Sequence, residues 1–354
     1  MNHRGSQVIY GVLWLGIVVL ASVVLVLRFS VTPGRILVPL SAYLPFAIIP
    51  FAVLTIIIAC VLRIPGRVRI PLIAASILLP TAVYGPRLVP RLHPPVREMI
   101  RVATWNVFLG RYGVSGIREN IGQIGADIIA IQEVICSESD SADCPQLAAI
   151  VRPMGYRCAF VGYRPTRPGR QPGIAICVRD PVKLLSVERR TYHPGGRWRY
   201  VFAEVEVHGQ RVNVVVPHLY PFAFGSIGGD GRSDAGSTLR RLAYRIVATT
   251  HWHLREGNEL LRLVSTFQDP TILMGDFNSA PDHPIHWELR RTLTDCLGAA
   301  GKGLSSTFTF LLPVRIDYVY VTRSIHVHAA SVLPTASSDH KPVVALLSIP
   351  EGTR

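Results

Sequence analysis

The chain has 354 residues, with 37 Lys and Arg against 23 Asp and Glu, for a formal net charge of +14. That length holds one large domain plus extra segments, and the charge taken whole points to a nucleic-acid partner. The distribution says otherwise: residues 1–97 carry nine Arg and no acidic residue, a charge of +9, while everything from Glu98 onward carries only +5. The second part is mildly basic, which suits a phosphate-bearing substrate and does not select DNA.

Val8–Leu27 is an uncharged apolar run of 20 residues, the length that crosses a bilayer. It is too long for the apolar stretch of a cleaved signal peptide, and two further runs follow. Ile36–Leu62 is interrupted by Pro39, Pro45 and Pro50, and Ile70–Gly85 by Pro71 and Pro80; membrane helices tolerate proline better than soluble ones. The expected layout is a membrane region over 1–86 with three spans at about 8–27, 36–62 and 70–86. Arg63, Arg67 and Arg69, between the second and third runs, read as cytoplasmic by the positive-inside rule. The amino terminus is then inside and everything after Pro86 outside, with Arg28 and Arg35 in mild conflict. A Pro- and Arg-rich linker over 87–97 reads as a stiff exit from the membrane.

Short β-prone runs follow: Ile100–Thr104, Ile128–Gln132, Tyr156–Gly162, Ile174–Val178, Tyr200–Val207, Arg211–Pro217, Thr271–Gly275, Tyr318–Thr322, His326–Val332 and Val343–Leu347. Helical patterns lie at Val114–Ile124, Gln146–Met154, Ser237–Glu256 and His283–Leu293. Many strands with few helices predict two stacked sheets flanked by helices. Pro194-Gly195-Gly196 and His208-Gly209 read as turns or strand breaks. Cys136 with Cys144, and Cys158 with Cys177, are candidate disulfides, which would require an oxidising compartment; the plainer alternative is buried free thiols acting as small apolar residues.

Five polar motifs each close an apolar run: Trp105-Asn106-Val107, Gln132-Glu133-Val134, Pro217-His218-Leu219, Gly275-Asp276-Phe277-Asn278 and Ser338-Asp339-His340. Arg315-Ile316-Asp317-Tyr318 stands between the last two. Carboxylate and amide oxygens at strand ends are hard ligands suited to Mg²⁺ or Mn²⁺. Period-two spacing along an extended strand end points the side chains of Asp276 and Asn278 to the same side, where a carboxylate beside an amide can orient and activate water. Asp339-His340 sets an acid beside an imidazole, and Asp317, in a β-prone stretch, is placed to orient a histidine from a neighbouring strand, the device by which an acid holds a histidine in one tautomer. Singly, each has a plainer reading: Asn106 as a turn residue, Glu133 as a solvated strand end, Asp276 as the start of an Asx-turn, His218 as a structural histidine.

The ordered set WNV, QEV, PHL, GDFN, IDYV and SDH resembles the endonuclease/exonuclease/phosphatase superfamily, which includes DNase I-like nucleases, neutral sphingomyelinases and inositol polyphosphate 5-phosphatases. The resemblance covers about residues 98–350. It implies an α/β fold, a four-layer αββα sandwich of two mixed β-sheets here preceded by transmembrane helices, and divalent-metal-dependent cleavage of phosphoester or phosphoanhydride bonds. Carried over by motif, the metal ligands are Glu133, with Asn106 beside it, and Asp339 nearby. Asp276 and Asn278 position or deprotonate the attacking water; His340, steadied by Asp317, contacts the scissile phosphate; His218 stabilises charge on the phosphoryl oxygens. The resemblance leaves open whether Asp276 or His340 is the base. Phe108 stands where members that cut abasic DNA often carry an acidic residue, which argues against that activity. Arg111, Arg240, Arg241 and Lys341 are candidates for holding further phosphate charge.

The spans bear on the substrate, because tethering raises an enzyme's effective concentration at the bilayer. Short N-terminal spans joined to an external domain of this type resemble VanJ-type teicoplanin-resistance membrane phosphatases. The expected partners are therefore the bilayer and a lipid-linked phosphate or pyrophosphate resembling undecaprenyl pyrophosphate. An anchored extracellular phosphodiesterase, a nuclease or a sphingomyelinase-like enzyme, is the alternative. No obligate protein partner is implied.

Overall fold

The computed structural model describes residues 3–29, 44–62, 65–88, 98–136, 144–163, 171–192, 199–221, 235–301, 305–309 and 313–349. Among the described residues, three helices are long and apolar enough to cross a membrane: α1 (His3–Phe29), α2 (Leu44–Val61) and α3 (Gly66–Leu88). Tyr10, Leu13 and Ile17 of α1 pack with Ala59 of α2 and Leu72 of α3. The third helix starts before the apolar run Ile70–Gly85, taking in Arg67 and Arg69, and passes through Pro71 and Pro80. Residues 36–43 of the second run and 89–97 of the linker lie outside the described part.

From Ile100 the chain alternates strands and helices. The first stretch is β1 (Ile100–Asn106), α4 (Val114–Ile124), β2 (Ile128–Cys136), α5 (Pro145–Val151), β3 (Arg157–Gly162) and β4 (Gln171–Val178). Next come β5 (Lys183–Thr191), β6 (Arg199–Val207), β7 (Gln210–Val216), α6 (Ala235–Ser265), β8 (Thr271–Asp276), α7 (Pro284–Thr292), β9 (Leu293–Asp295) and α8 (Cys296–Ala300). The last are β10 (Phe308–Thr309), β11 (Pro313–Val314), β12 (Asp317–Thr322), β13 (His326–Val332) and β14 (Val343–Ser348).

Two six-stranded sheets result, in the orders β13-β14-β1-β2-β4-β3 and β5-β6-β7-β8-β12-β9. Both are mixed: β1 runs parallel to β2 and antiparallel to β14, and β7 runs parallel to β8, which is antiparallel to β12. The β6–β7 hairpin turns at His208 and Gly209, whose φ values of 52° and 78° suit a tight turn. The Pro194–Gly196 signal lies outside the described residues. No residue of β5 is buried, and its consecutive charges Glu188-Arg189-Arg190 interrupt the apolar alternation that marks a strand in sequence.

Period-two alternation sorts the side chains into layers. Val102, Ile128, Ala130, Val212, Val214, Val216, Ile272, Met274, Val319, Val321, Val343 and Ala345 fill the space between the sheets. The opposite faces carry Ala103, Trp105, Ile129 and Ile131 against α4 and α5 on one sheet. On the other, Leu273, Tyr318 and Tyr320 pack against α6 and α7. The fold is thus a four-layer αββα sandwich, as the sequence predicts. Cys136 pairs with Cys144 across a Cα–Cα distance of 5.4 Å, and Cys158 pairs with Cys177 across the β3–β4 register.

Candidate active site

The same alternation builds the site. Counting inward positions along the strands, the residue after Val102 and Thr104 is Asn106, the one after Ile272 and Met274 is Asp276, and the one before Val319 and Val321 is Asp317. His218 continues the parity of Val212, Val214 and Val216, and lies in a bridge beside Asp276. Polar groups therefore stand where the apolar filling between the sheets ends. Gly275 is required there, since a Cβ would overlap the Pro217 carbonyl oxygen.

Glu133 reaches this space by a different device. The β2–β4 register shifts between Gln132 and Val134, and Glu133 has a φ of 58°. A bulge re-aims one side chain out of the ladder, and a left-handed non-glycine residue costs on the order of 1–3 kcal/mol, a strain that concentrates at functional sites. Its side chain is 22% exposed while those of Asp276, His218 and Asp317 are 2% or less, so Glu133 forms the rim and the others the floor.

Hydrogen bonds tie the two sheets together across the site. Asn106 Nδ2 donates to Glu133 Oε1 at 3.1 Å and to Asp276 Oδ2 at 3.0 Å, while its Oδ1 accepts from the Phe108 backbone N–H at 2.9 Å. His340 Nδ1 lies 3.0 Å from Asp317 Oδ2, and its Nε2 lies 3.9 Å from Asp276 Oδ2. Tyr163 hydrogen-bonds through its hydroxyl to His218 Nδ1. Outside this ring, Trp105 Nε1 donates to the His340 carbonyl at 3.0 Å, and Ser338 Oγ donates to the Asn106 carbonyl at 2.7 Å. Thr307 Oγ1 accepts from the backbone N–H groups of Ile316 and Asp317.

Asn278 departs from the same-side expectation. The extended run stops at Asp276, and Asn278 turns left-handed with a φ of 48°. Its backbone N–H closes an Asx-turn on Asp276 Oδ1 at 2.8 Å, and its side-chain amide donates to the Leu219 carbonyl at 3.0 Å. It thus braces Asp276 and the segment after His218. Asp339 is half-buried, with Ser338 Oγ at 3.4 Å from its Oδ1. Arg111 is exposed, its guanidinium 4.7 Å above the Phe108 ring. The side chains of Arg240 and Arg241 lie outside the described part.

Burial and mutual charge set the protonation pattern. Burial raises the Asp276 carboxyl, with Asp317 adding to it, up to about 7. Burial likewise raises Glu133, against the Asn106 hydrogen bond and the His340 charge. Burial would lower His340, but the Asp317 and Asp276 carboxylates outweigh it and push the imidazole up to about 10. Carboxylate oxygens of Asp276 and Glu133 stand 3.6 Å and 3.8 Å from His218 Nε2, and burial, reinforced by the His340 charge, lowers the imidazole to about 3. The Tyr163 phenol is raised well above its ordinary value by burial and by the Glu133 and Asp276 charges.

Crowded carboxyls held up by desolvation fit a cation, which would restore their ionisation. Ligand atoms of Asp276, Asp317 and His340 lie within 4.8 Å of one another. Both Asp317 oxygens, however, are engaged by His340 Nδ1. Asp276 is likewise engaged, by Asn106 Nδ2 and the Asn278 backbone N–H, so the rim carboxylate of Glu133 is the oxygen donor placed toward the opening, a hard ligand suited to Mg²⁺ or Mn²⁺.

For three residues of this constellation the sequence assigns no role. Tyr163 follows a strand without any motif. Trp105 and Thr307 act through a ring nitrogen and a hydroxyl whose partners are 235 and 9 or 10 positions away. The partner distances, invisible in a local pattern, are the missing signal.

The sequence matches the family described as Endonuclease/Exonuclease/phosphatase over residues 103–340. No curated protein matches. Among solved structures, the human Nocturnin catalytic domain with bound sulfate is similar at 18% identity and a TM-score of 0.52, over 72% of this chain and 94% of that one. An endonuclease/exonuclease/phosphatase from Beutenbergia cavernae is similar at 21% identity and a TM-score of 0.53, over 72% of each chain. The mannosyl-6-phosphatase Bt3783 of Bacteroides thetaiotaomicron is similar at 17% identity and a TM-score of 0.52, over 71% of this chain and 100% of that one. At such identities the likeness speaks for the fold.

Proposed function

The chain belongs to the endonuclease/exonuclease/phosphatase family, and from that premise we propose a membrane-anchored, divalent-metal-dependent phosphohydrolase acting on a lipid-linked phosphate or pyrophosphate at the outer membrane face. The observation that carries the proposal is the presence, in one chain, of three membrane-length helices and a hydrolytic group set at the seam of two sheets. The two disulfides support an external domain, since they persist in oxidising compartments. The substrate is of the undecaprenyl pyrophosphate type, a phosphate head on an isoprenoid tail that stays in the bilayer.

In this reading Glu133 holds the divalent ion, with Asp339 adding negative charge beside it. Such an ion, when bound, supplies Lewis-acid polarisation of the phosphoryl oxygen. Asn106 keeps the Glu133 and Asp276 carboxylates at one spacing through its shared amide. His340, held as a cation by Asp317 and Asp276, donates to a phosphoryl oxygen and has no capacity left to act as a base. Asp276 therefore accepts the proton of the attacking water as the new P–O bond forms. The bond to the leaving phosphate or alcohol oxygen breaks, and that oxygen departs with the electron pair. His218, neutral and buried, donates to the charge that builds on the phosphoryl oxygens.

The full-length protein in detergent with Mg²⁺ is expected to release inorganic phosphate from undecaprenyl pyrophosphate. Nucleotide release from plasmid DNA, with no phosphate from the lipid, would replace this reading with an anchored nuclease. A reporter fused at Arg97 is expected to report the outer face; a cytoplasmic signal would remove the outer-face substrate.

A further inference from the structure

The two histidines of the site are held in opposite ways. At His340 a carboxylate faces Nδ1, so that nitrogen must carry a proton. At His218 the group facing Nδ1 is the Tyr163 phenol, and the rings lie with centroids 5.6 Å apart. His218 Nε2 looks toward Glu133 Oε1 at 3.8 Å and Asp276 Oδ2 at 3.6 Å. A neutral imidazole has one proton for two nitrogens, and an ionised carboxylate, which Asp276 is above about pH 7, only accepts. With the proton on Nδ1, the Nε2 lone pair would confront two carboxylate oxygens. With the proton on Nε2, the Tyr163 O–H donates to Nδ1 and the Nε2–H points into the space between the carboxylates, where a phosphoryl oxygen is bound in the proposed reaction.

Tyr163 is built to hold that position. Its side chain sits in the core between the sheets at 3% exposure. Its backbone N–H donates to the Pro172 carbonyl at 2.7 Å, and its carbonyl accepts from Gln171 Nε2 at 2.9 Å. It stands just beyond β3 of one sheet while His218 stands just beyond β7 of the other, so the pair is a third link across the seam. We infer that Tyr163 is a positioning residue that locks His218 in the Nε2–H tautomer. A carboxylate in its place would hold a proton on Nδ1 and favour the imidazolium, as Asp317 does at His340, whereas the phenol leaves His218 neutral with its one proton on Nε2. The consequence for turnover rests on the proposed phosphohydrolase reading; the tautomer does not.

The test is Tyr163→Phe in the full chain, which keeps the ring and removes the hydroxyl. Nitrogen-15 NMR of the His218 ring, recorded without substrate, is expected to show protonated Nε2 and unprotonated Nδ1 in the parent, and loss of that single tautomer in the variant. Turnover of undecaprenyl pyrophosphate, or of bis(4-nitrophenyl) phosphate if the lipid is not cleaved, is expected to fall about 10- to 100-fold in kcat with KM little changed. Protonated Nδ1 in the parent overturns the inference. So does a changed tautomer with full turnover, or an unchanged tautomer with reduced turnover. Failure on the lipid alone, with the tautomer and the diester results as expected, falls on the substrate assignment.

Discussion

His340 directs Nδ1 at both carboxylate oxygens of Asp317, 3.2 Å and 3.0 Å away, and the two residues stand at the ends of different sheets. The pair sets the histidine's charge and fixes one sheet's edge against the other. Asp317→Asn keeps the shape and removes the negative charge. It is expected to lower kcat by roughly 100-fold or more and to bring the His340 imidazole down from about 10. Steady-state kinetics and NMR titration of His340 check the two halves; full activity with an unchanged titration would reject the role given to Asp317.

Removal of divalent metal by a chelator is expected to abolish phosphate release, and Mg²⁺ to restore it. Mg²⁺ at about 100 times its Kd is also expected to stabilise the chelated protein by about 2.7 kcal/mol, read as a raised Tm. Glu133→Ala should lose both the activity and the Mg²⁺-dependent Tm shift. A shift that survives in the variant would move the ion away from Glu133.

Away from the site, Glu256 of α6 accepts the Tyr220 backbone N–H at 2.8 Å, and His253 meets the Tyr220 carbonyl at 2.6 Å. Burial raises the Glu256 carboxyl to about 8, from an ordinary 4.5. Between those values the folded chain keeps a proton that the unfolded chain has lost, so this group's contribution to stability falls as pH rises from about 4.5 to about 8 and is level outside that window. Glu256→Gln accepts the same N–H without a charge. Its Tm is expected to exceed the parent's at pH 8 and to match it near pH 4, with a total effect of a few kcal/mol. Parallel Tm–pH curves for the two proteins would refute the assignment.

Arg315, two residues before Asp317, is buried with Asp295; Nη1 lies 3.3 Å from Asp295 Oδ1, and Nη2 also bonds the carboxylate. Burial alone would raise Asp295, yet the Arg315 and Arg290 charges hold it below the usual carboxylate range. Arg315→Leu strands a buried carboxylate and is expected to cost about 3–5 kcal/mol, whereas Arg315→Leu with Asp295→Leu should recover much of it. Chemical denaturation of the three proteins measures this, and a double variant no more stable than Arg315→Leu would show that the stranded Asp295 charge is not the source of the loss.

Much of the fold is legible because each central strand announces itself by an apolar run that ends in a polar motif. The run Thr271–Gly275 and the pair Asp276-Asn278 are one such statement, and the structure extends the strand by a single residue. Local pattern fails where geometry is non-local or left-handed. Glu133 reads as a strand end but enters through a bulge, and Asn278 reads as extended but turns at φ 48°. His286 appears without context in the sequence and proves to be a buried structural residue held by Ser279 and Tyr320. Tyr163 carries no motif because its partner His218 is 55 positions away.

Trp105 and His340 touch across 235 positions of chain. Under the proposed anchored reading this separation orders synthesis: the apolar first segments would leave the ribosome and meet the bilayer while the proposed catalytic centre still lacks its last histidine. Fragments released early would hold Asn106 and Glu133 but no His340, and so would be inert beside the lipid pool that the finished protein is proposed to act on.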